Sequence, residues 1–297
     1  MPLHFEPQKA DPELKGLGLE YDRDGKIFKY GFHFDVFNKK GHINAKTGVN
    51  FPDRYKFDYV KLGEDLQRFK DEGRRDEYLK IIKHIAPKDL FFLIYFVLDL
   101  DVNHPFLIAR IYEAQAKRDM TLDLWGRGHW KSSVRTFAQP IHELILNQNE
   151  RINILSHTAT AAESHLRRIK TTLEICVDLL DAFPNIFYRH PKTQAPKWSE
   201  KVGIYVKRKA GFAPQEPSVA AMGLDNLKTG SHYSILIYDD IIDLKKVTTA
   251  AMQDKAIEQV QQSDNLGDTV KKPIKRAIGT RYSKRRSEEH TSELQSR

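Results

Sequence analysis

Along the chain the spacing of apolar positions changes near residue 120. Before it, residues 60–85 carry Leu62, Leu66, Phe69, Tyr78, Ile81, Ile82 and Ile85 at helical intervals among charged side chains, which predicts charged amphipathic helix. The run 90–98 is continuously apolar but shorter than the roughly 20 residues that cross a bilayer, so it reads as a buried helix or strand. Beyond residue 120, short apolar runs alternate with helical patterns. Strands are predicted at 121–125, 151–155, 202–206, 235–238 and 275–279. Helices are predicted at 132–146, bent near Pro140, at about 160–180 with Thr158 or Thr160 as cap, and at 247–262. Such alternation predicts an α/β fold, a mainly parallel sheet covered by helices on both faces.

The first 60 residues are rich in aromatics, Gly and Asn. Residues 21–30 suggest a turn and a strand, and Phe32, Phe34 and Val36 alternate as a half-buried strand would. Asp22, Asp24 and Gly25 look like the start of a calcium loop but lack the spaced third ligand and closing Glu, so a turn is the better reading. Residues 1–60 are read as an N-terminal extension to a domain at 61–285, whose part 61–120 is a helical lead-in. Residues 286–296, RSEEHTSELQS, look like the translation of a common sequencing-library adapter; 286–297 is read as a non-native tail, and the natural chain is expected to continue past Arg285.

Hydrophobic residues make up 40% of the 297, enough to bury a core. A formal charge of +8 favours an anionic partner such as nucleic acid, tempered by 40 interspersed acidic residues. The single cysteine, Cys176, excludes an intramolecular disulfide and fits a reducing cytoplasm; it is read as a small apolar residue on a helix face. Residues 1–16 have no apolar core of the signal-peptide kind.

Two segments carry candidate chemistry. Residues 126–133, GRGHWKSS, lie between a predicted strand and a predicted helix, the context of a phosphate loop. Backbone N–H groups of Gly126, Gly128, His129, Trp130 and Ser133 and the helix N-terminus would face phosphate oxygens; Lys131 would reach the β- and γ-phosphates of ATP, and the Ser132 hydroxyl would hold Mg²⁺. The standard pattern G-x-x-x-x-G-K-[ST] is only partly met, because Trp125 and Trp130 stand at its glycines; on the octamer alone a polar turn opening a helix is an equal reading. The second segment is the apolar run 235–238 followed by Asp239 and Asp240. A parallel strand ending in paired acids puts them at the edge where open α/β sheets bind ligands. Asp239 would hold Mg²⁺ and Asp240 would orient and deprotonate the attacking water; solvated acids at a surface strand end are the plain alternative.

These segments also carry a family resemblance. Residues 122–132, LDLWGRGHWKS, resemble the deviant phosphate loop of tailed-phage terminase large subunits, which often reads RGHxKS and lacks a standard glycine. Residues 154–158, ILSHT, look like the strand and turn that follow it. Residues 229–240, TGSHYSILIYDD, look like the family's acidic strand, with Ser234 where Asp is usual, and 278–282, IGTRY, like the coupling motif that ends the ATPase domain. The resemblance spans about residues 90–283, and its specificity comes from the ordered blocks taken together. It implies a P-loop NTPase fold, with Arg127 as an in-chain arginine finger on the γ-phosphate and Thr280 and Arg281 as coupling residues. The acid corresponding to Asp240 is Glu in many members. It further implies a ring of copies in the host bacterial cytoplasm, at the procapsid portal. That ring drives double-stranded DNA, with the portal protein and a small terminase subunit as partners and no membrane. Adenine contacts are expected near 90–110, where Asn103, His104 and Pro105 read as a turn rather than a metal site. A nuclease domain would follow the coupling motif, so no nuclease activity is expected of residues 1–297.

Candidate DNA contacts are 271–276, KKPIKR, and Lys207, Arg208 and Lys209, with solvated basic faces an equal reading. Two rivals stay open: a helicase-like or repair ATPase, which would need further nucleic-acid motifs after the acidic strand, and a non-catalytic DNA- or capsid-binding accessory in which Trp130 fills the phosphate cradle.

Overall fold

The central strands are buried on both faces, most of their positions being apolar or small. The computed structural model of the protein describes residues 59–126, 128–212, 214–225, 227, 230–241, 250–268 and 272–279, together with two short strands near the N-terminus. Those strands, β1 (Leu19–Tyr21) and β2 (Phe28–Tyr30), pair antiparallel, Leu19 opposite Tyr30. The Asp22–Gly25 turn, the alternating run at 32–36 and the tail 286–297 lie outside the described residues. The chain divides into two compact units, 1–118 with 172–191, and 119–171 with 192–297.

The first unit is helical. The predicted helix at 60–85 is two helices, α1 (Tyr59–Asp71) and α2 (Arg75–Ile85). Gly73 breaks it: at φ +69 it takes the left-handed position, Arg74 N–H bonds Phe69 O at 2.8 Å and Gly73 N–H bonds Lys70 O at 3.2 Å, the bonding pattern of a glycine-terminated helix end. The apolar run at 90–98 is α3 (Leu90–Phe92) continuing into a π-wound turn, Leu93–Val97, which closes with Leu98 N–H on Leu93 O at 2.9 Å. Asp89 caps it, its carboxylate accepting from Phe92 N–H. Next comes α4 (Pro105–Ala116), which explains the Asn-His-Pro signal: Pro105 opens the helix and His104 accepts from Phe106 N–H as the cap.

The second unit holds the sheet. In chain order its strands are β3 (Thr121–Asp123), β4 (Ile152–Ser156), β5 (Trp198–Ser199), β6 (Gly203–Ile204), β7 (Val219–Gly223), β8 (Ile235–Asp239) and β9 (Ile274–Ile278). Their spatial order is β3-β9-β8-β4-β7-β6-β5. The first five in that order run parallel, and β6 and β5 turn antiparallel at one edge. The sheet is therefore mainly parallel, as the alternation of elements predicts. The strand expected at 202–206 shrinks to the two residues of β6, and β7 went unpredicted, because Val-Ala-Ala-Met-Gly is short of β-branched and aromatic residues. Position decides there: Val219 to Gly223 pair in register with Ile152 to Ser156 in the middle of the sheet.

Both faces of the sheet are covered. A helix enters at Lys131 and Ser132, winds as a π-helix over Ser133–Ala138 and continues as α5 (Gln139–Leu146). The wide turn just before Pro140 gives the expected bend a cause, since Pro140 has no N–H for Thr136 O and its ring would crowd that carbonyl in tight α winding. On this face Arg276 of β9 forms an ion pair with Glu143 of α5, both fully enclosed. On the other face Leu155, Met222, Leu236 and Tyr238 pack with Leu266 and with Val260 of α8 (Ala250–Ser263). The helix after β4, α6 (Ala159–Ile175), starts where Thr158 Oγ1 accepts from Ala161 N–H. It stops five residues before the expected end at Leu180, and the chain resumes as α7 (Val177–Ala182). Cys176 sits at that break rather than on a helix face; its thiol donates to Val97 O at 3.4 Å, and burial pushes its pKa up. No helix among the described residues is long and apolar enough to cross a membrane.

Candidate functional site

The C-terminal tips of β3, β9, β8 and β4 lie side by side, and the sequence places its polar candidates at those tips. β3 ends at Asp123, which accepts from Arg135 Nε at 2.6 Å; Arg135, wholly buried, also donates to Gln139 and Thr121 and so ties the helix to the strand before it. Between them runs the loop. His129 N–H bonds Gly126 O at 3.4 Å, and Gly128 at φ +80 lets the chain turn back. Trp130, at φ 57, takes left-handed backbone at the position where the standard pattern has glycine, and 38% of its surface stays in solvent, whereas Trp125 is buried. Val134 N–H then bonds Trp130 O as the helix starts.

Lys131 and the paired acids meet. The Lys131 amine donates to Gly279 O at 2.9 Å and lies 3.9 Å from Asp240 Oδ1, with its side chain 10% exposed against 48% for Asp240. Ser132 Oγ donates to Asp239 Oδ1 at 3.2 Å. The other oxygen of Asp239 accepts from Thr136 Oγ1, and His165 Nε2 of α6 lies 3.5 Å from it. Burial pushes the pKa of Asp239 up, with Asp240 acting the same way and His165, Thr136 and Ser132 acting against it. Asp239 and Ser132 thus present two oxygen donors side by side, the hard ligands that Mg²⁺ prefers, so the residues fit the ion. Ser133 faces outward and accepts from Arg168 of α6 at 2.8 Å, whose guanidinium also lies over the Phe137 ring.

Several residues at the site have no marking in a linear reading. Thr136 stands one helical turn past Ser132, a spacing that could have flagged it. His165 comes from a helix far along the chain and had no local signal. Gly279 contributes only its carbonyl. The order of strands was also invisible: β9 lies between the loop strand and the acidic strand, so the peptide at Gly279 that leaves β9 lies beside Lys131. Arg127, Thr280 and Arg281 lie outside the described residues.

Part of the basic candidate surface is turned inward. Arg208 donates to the carbonyls of Gln148, Glu150 and Glu216, and burial lowers its pKa to about 10. Arg276 is enclosed with Glu143, and Lys275 pairs with Asp264 at 2.6 Å. These three residues are bound up in holding loops and strands, whereas Lys209 and Lys272 are exposed. Ser234 has a structural task too, since it donates to Glu150 and accepts from Arg151 N–H, joining the entries of β8 and β4.

No protein-family model matches the chain, and no curated protein sequence matches it. Among solved structures the fold is similar to that of a Thermus phage large terminase ATPase domain, at 17% sequence identity and a TM-score of 0.38 over 67% of this chain and 71% of that one.

Proposed function

We propose that this chain is a Mg²⁺-dependent ATPase of the terminase large-subunit kind, the motor domain that drives double-stranded DNA into a procapsid. The observation that supports it most directly is the meeting of two distant segments: Lys131 beside Asp240, and Ser132 on Asp239, at one edge of a parallel sheet. The ordered sequence blocks from the phosphate loop to the coupling motif point the same way.

On this reading the loop N–H groups and the Lys131 amine hold the β- and γ-phosphates. Ser132 and Asp239 hold Mg²⁺, which when bound neutralises charge on the phosphate oxygens. Asp240, the more exposed acid, orients the attacking water and takes its proton on a carboxylate oxygen. Arg127 stabilises charge growing on the γ-phosphate, and Thr280 and Arg281 pass the nucleotide state on to DNA movement. The DNA contacts run mainly to the phosphate backbone, so they are independent of sequence and weaken with salt. In an assembled ring the partners are the portal protein and a small terminase subunit, in the host cytoplasm.

One assay tests this reading. ATP hydrolysis is measured for the chain and for its Lys131→Ala and Arg127→Ala variants, with and without duplex DNA. Hydrolysis is expected to fall at least ~100-fold in each variant. Equal rates in the chain and in Lys131→Ala would remove the active-site assignment, and a stimulation of hydrolysis by duplex DNA that ignores salt would remove the backbone-contact reading.

A further inference from the structure

Asp240 occupies a backbone conformation that its neighbours hold from both sides. At φ 45 it lies in the left-handed region, which Asp tolerates better than most residues but does not prefer. Its N–H donates to Ile278 O of β9 at 2.9 Å. Its C=O lies 3.0 Å from Nδ1 of His157, in the turn that leaves β4. The strands β9 and β4 flank β8 on opposite sides, so the residue at the tip of β8 is tied to both neighbours. A carbonyl only accepts, so His157 Nδ1 carries the proton and donates it; Ser156 Oγ, at 3.4 Å from the same nitrogen, is a weaker second contact.

We propose that His157 is a positioning residue for Asp240, acting through the backbone carbonyl. By holding that peptide it fixes the left-handed turn, and the turn sets where the Asp240 carboxylate stands relative to the Lys131 amine 3.9 Å away. Released from His157, residue 240 is free to relax toward ordinary right-handed or extended backbone, and its side chain swings off the site. Nothing in this changes Lys131, Ser132 or Asp239, so the water-orienting acid is displaced while the nucleotide-holding atoms stay in place. The proposal rests on the ATPase reading for its catalytic consequence, but the clamp itself does not.

The test compares His157→Ala with His157→Asn, because the Asn side-chain amide presents a donor at nearly the place of Nδ1. In His157→Ala, kcat is expected to fall about 10- to 100-fold while KM for ATP stays within about twofold. In His157→Asn, kcat should return to within about threefold of the parent. Hydrogen exchange at the Asp240 amide, read without nucleotide, should speed up at least ~10-fold in the Ala variant and stay near the parent rate in the Asn variant. Unchanged exchange at Asp240 in His157→Ala overturns the proposal, as does an unaltered kcat, a loss carried by KM, or an Asn variant as slow as the Ala variant. If the parent chain and Lys131→Ala hydrolyse ATP equally, the ATPase reading falls alone, and the exchange rates still decide the clamp.

Discussion

Among the described residues two aspartates are buried, one in each unit, and their surroundings differ in kind. Asp89, in the helical unit, is fully enclosed: one oxygen caps α3 through Phe92 N–H, and the other takes the hydroxyls of Tyr59 and Tyr112, with the Phe91 ring packed edge-on against Tyr59. No Lys or Arg pairs with it among the described residues, and burial pushes its pKa up to about 6, against the hydrogen bonds it accepts. Asp239, at the sheet edge, is as deeply set, yet its oxygens meet small hydroxyls and an imidazole, with the Lys131 amine and a second carboxylate next to them. The lesson is that burial alone does not mark a functional acid. Tyrosine hydroxyls on a capping carboxylate close a structural network, whereas a carboxylate at the strand tips beside a cation and an exposed acid is arranged for a charged ligand.

The sharpest way to break this contrast is to neutralise each acid in turn. Asp239→Asn is expected to lower ATP hydrolysis at least ~100-fold, and Asp89→Asn to leave it within about twofold. Steady-state hydrolysis by the two purified variants checks this, and similar losses in both would erase the distinction.

A smaller effect concerns pH. Between 3.8, its ordinary value, and about 6, the folded helical unit keeps a proton on Asp89 that the unfolded chain gives up. Stability is therefore greatest below this window, falls as pH rises through it by about 3 kcal/mol, and is flat above. Denaturant unfolding from pH 3.5 to 7.5, followed by amide exchange in residues 59–118, should show that fall in the parent and a flatter profile in Asp89→Asn. A parent profile that rises across the same window would show the carboxylate to be ionised and well paired instead.

The smallest expected change lies in the helical unit alone. Gly73→Ala forces a side chain onto φ +69 and should destabilise that unit by about 1 kcal/mol, with no steric clash to add, since the space around it is open. The denaturation midpoint should drop while ATP hydrolysis stays the same; a matching loss of activity would mean that the two units share a function that the two aspartates do not reveal.

Much of the site was legible because the marks are local. A lysine and serine opening a helix after a strand, and two acids closing a four-residue apolar run, are patterns of neighbouring residues, and the fold keeps them on those elements. The cap at Thr158 and the last strand near residue 275 were equally local. What failed to show was non-local. The strand β7 lacks strand-like composition and is held by pairing with β4. Arg208 and Arg276 look like surface cations until the carbonyls and the carboxylate that receive them are brought in from elsewhere in the chain.

By itself the sequence determined the kind of fold and the two segments of the candidate site, because hydrophobic period, turn residues and caps act within a few residues of one another. Only the tertiary structure decided that β9 separates the loop strand from the acidic strand, that Thr136 and His165 close around Asp239, and that His157 and Ile278 grip Asp240 from opposite sides. The physical reason is that burying a charge or holding a left-handed residue is unfavourable on its own, and becomes tolerable only where partners distant in sequence supply the compensating hydrogen bonds.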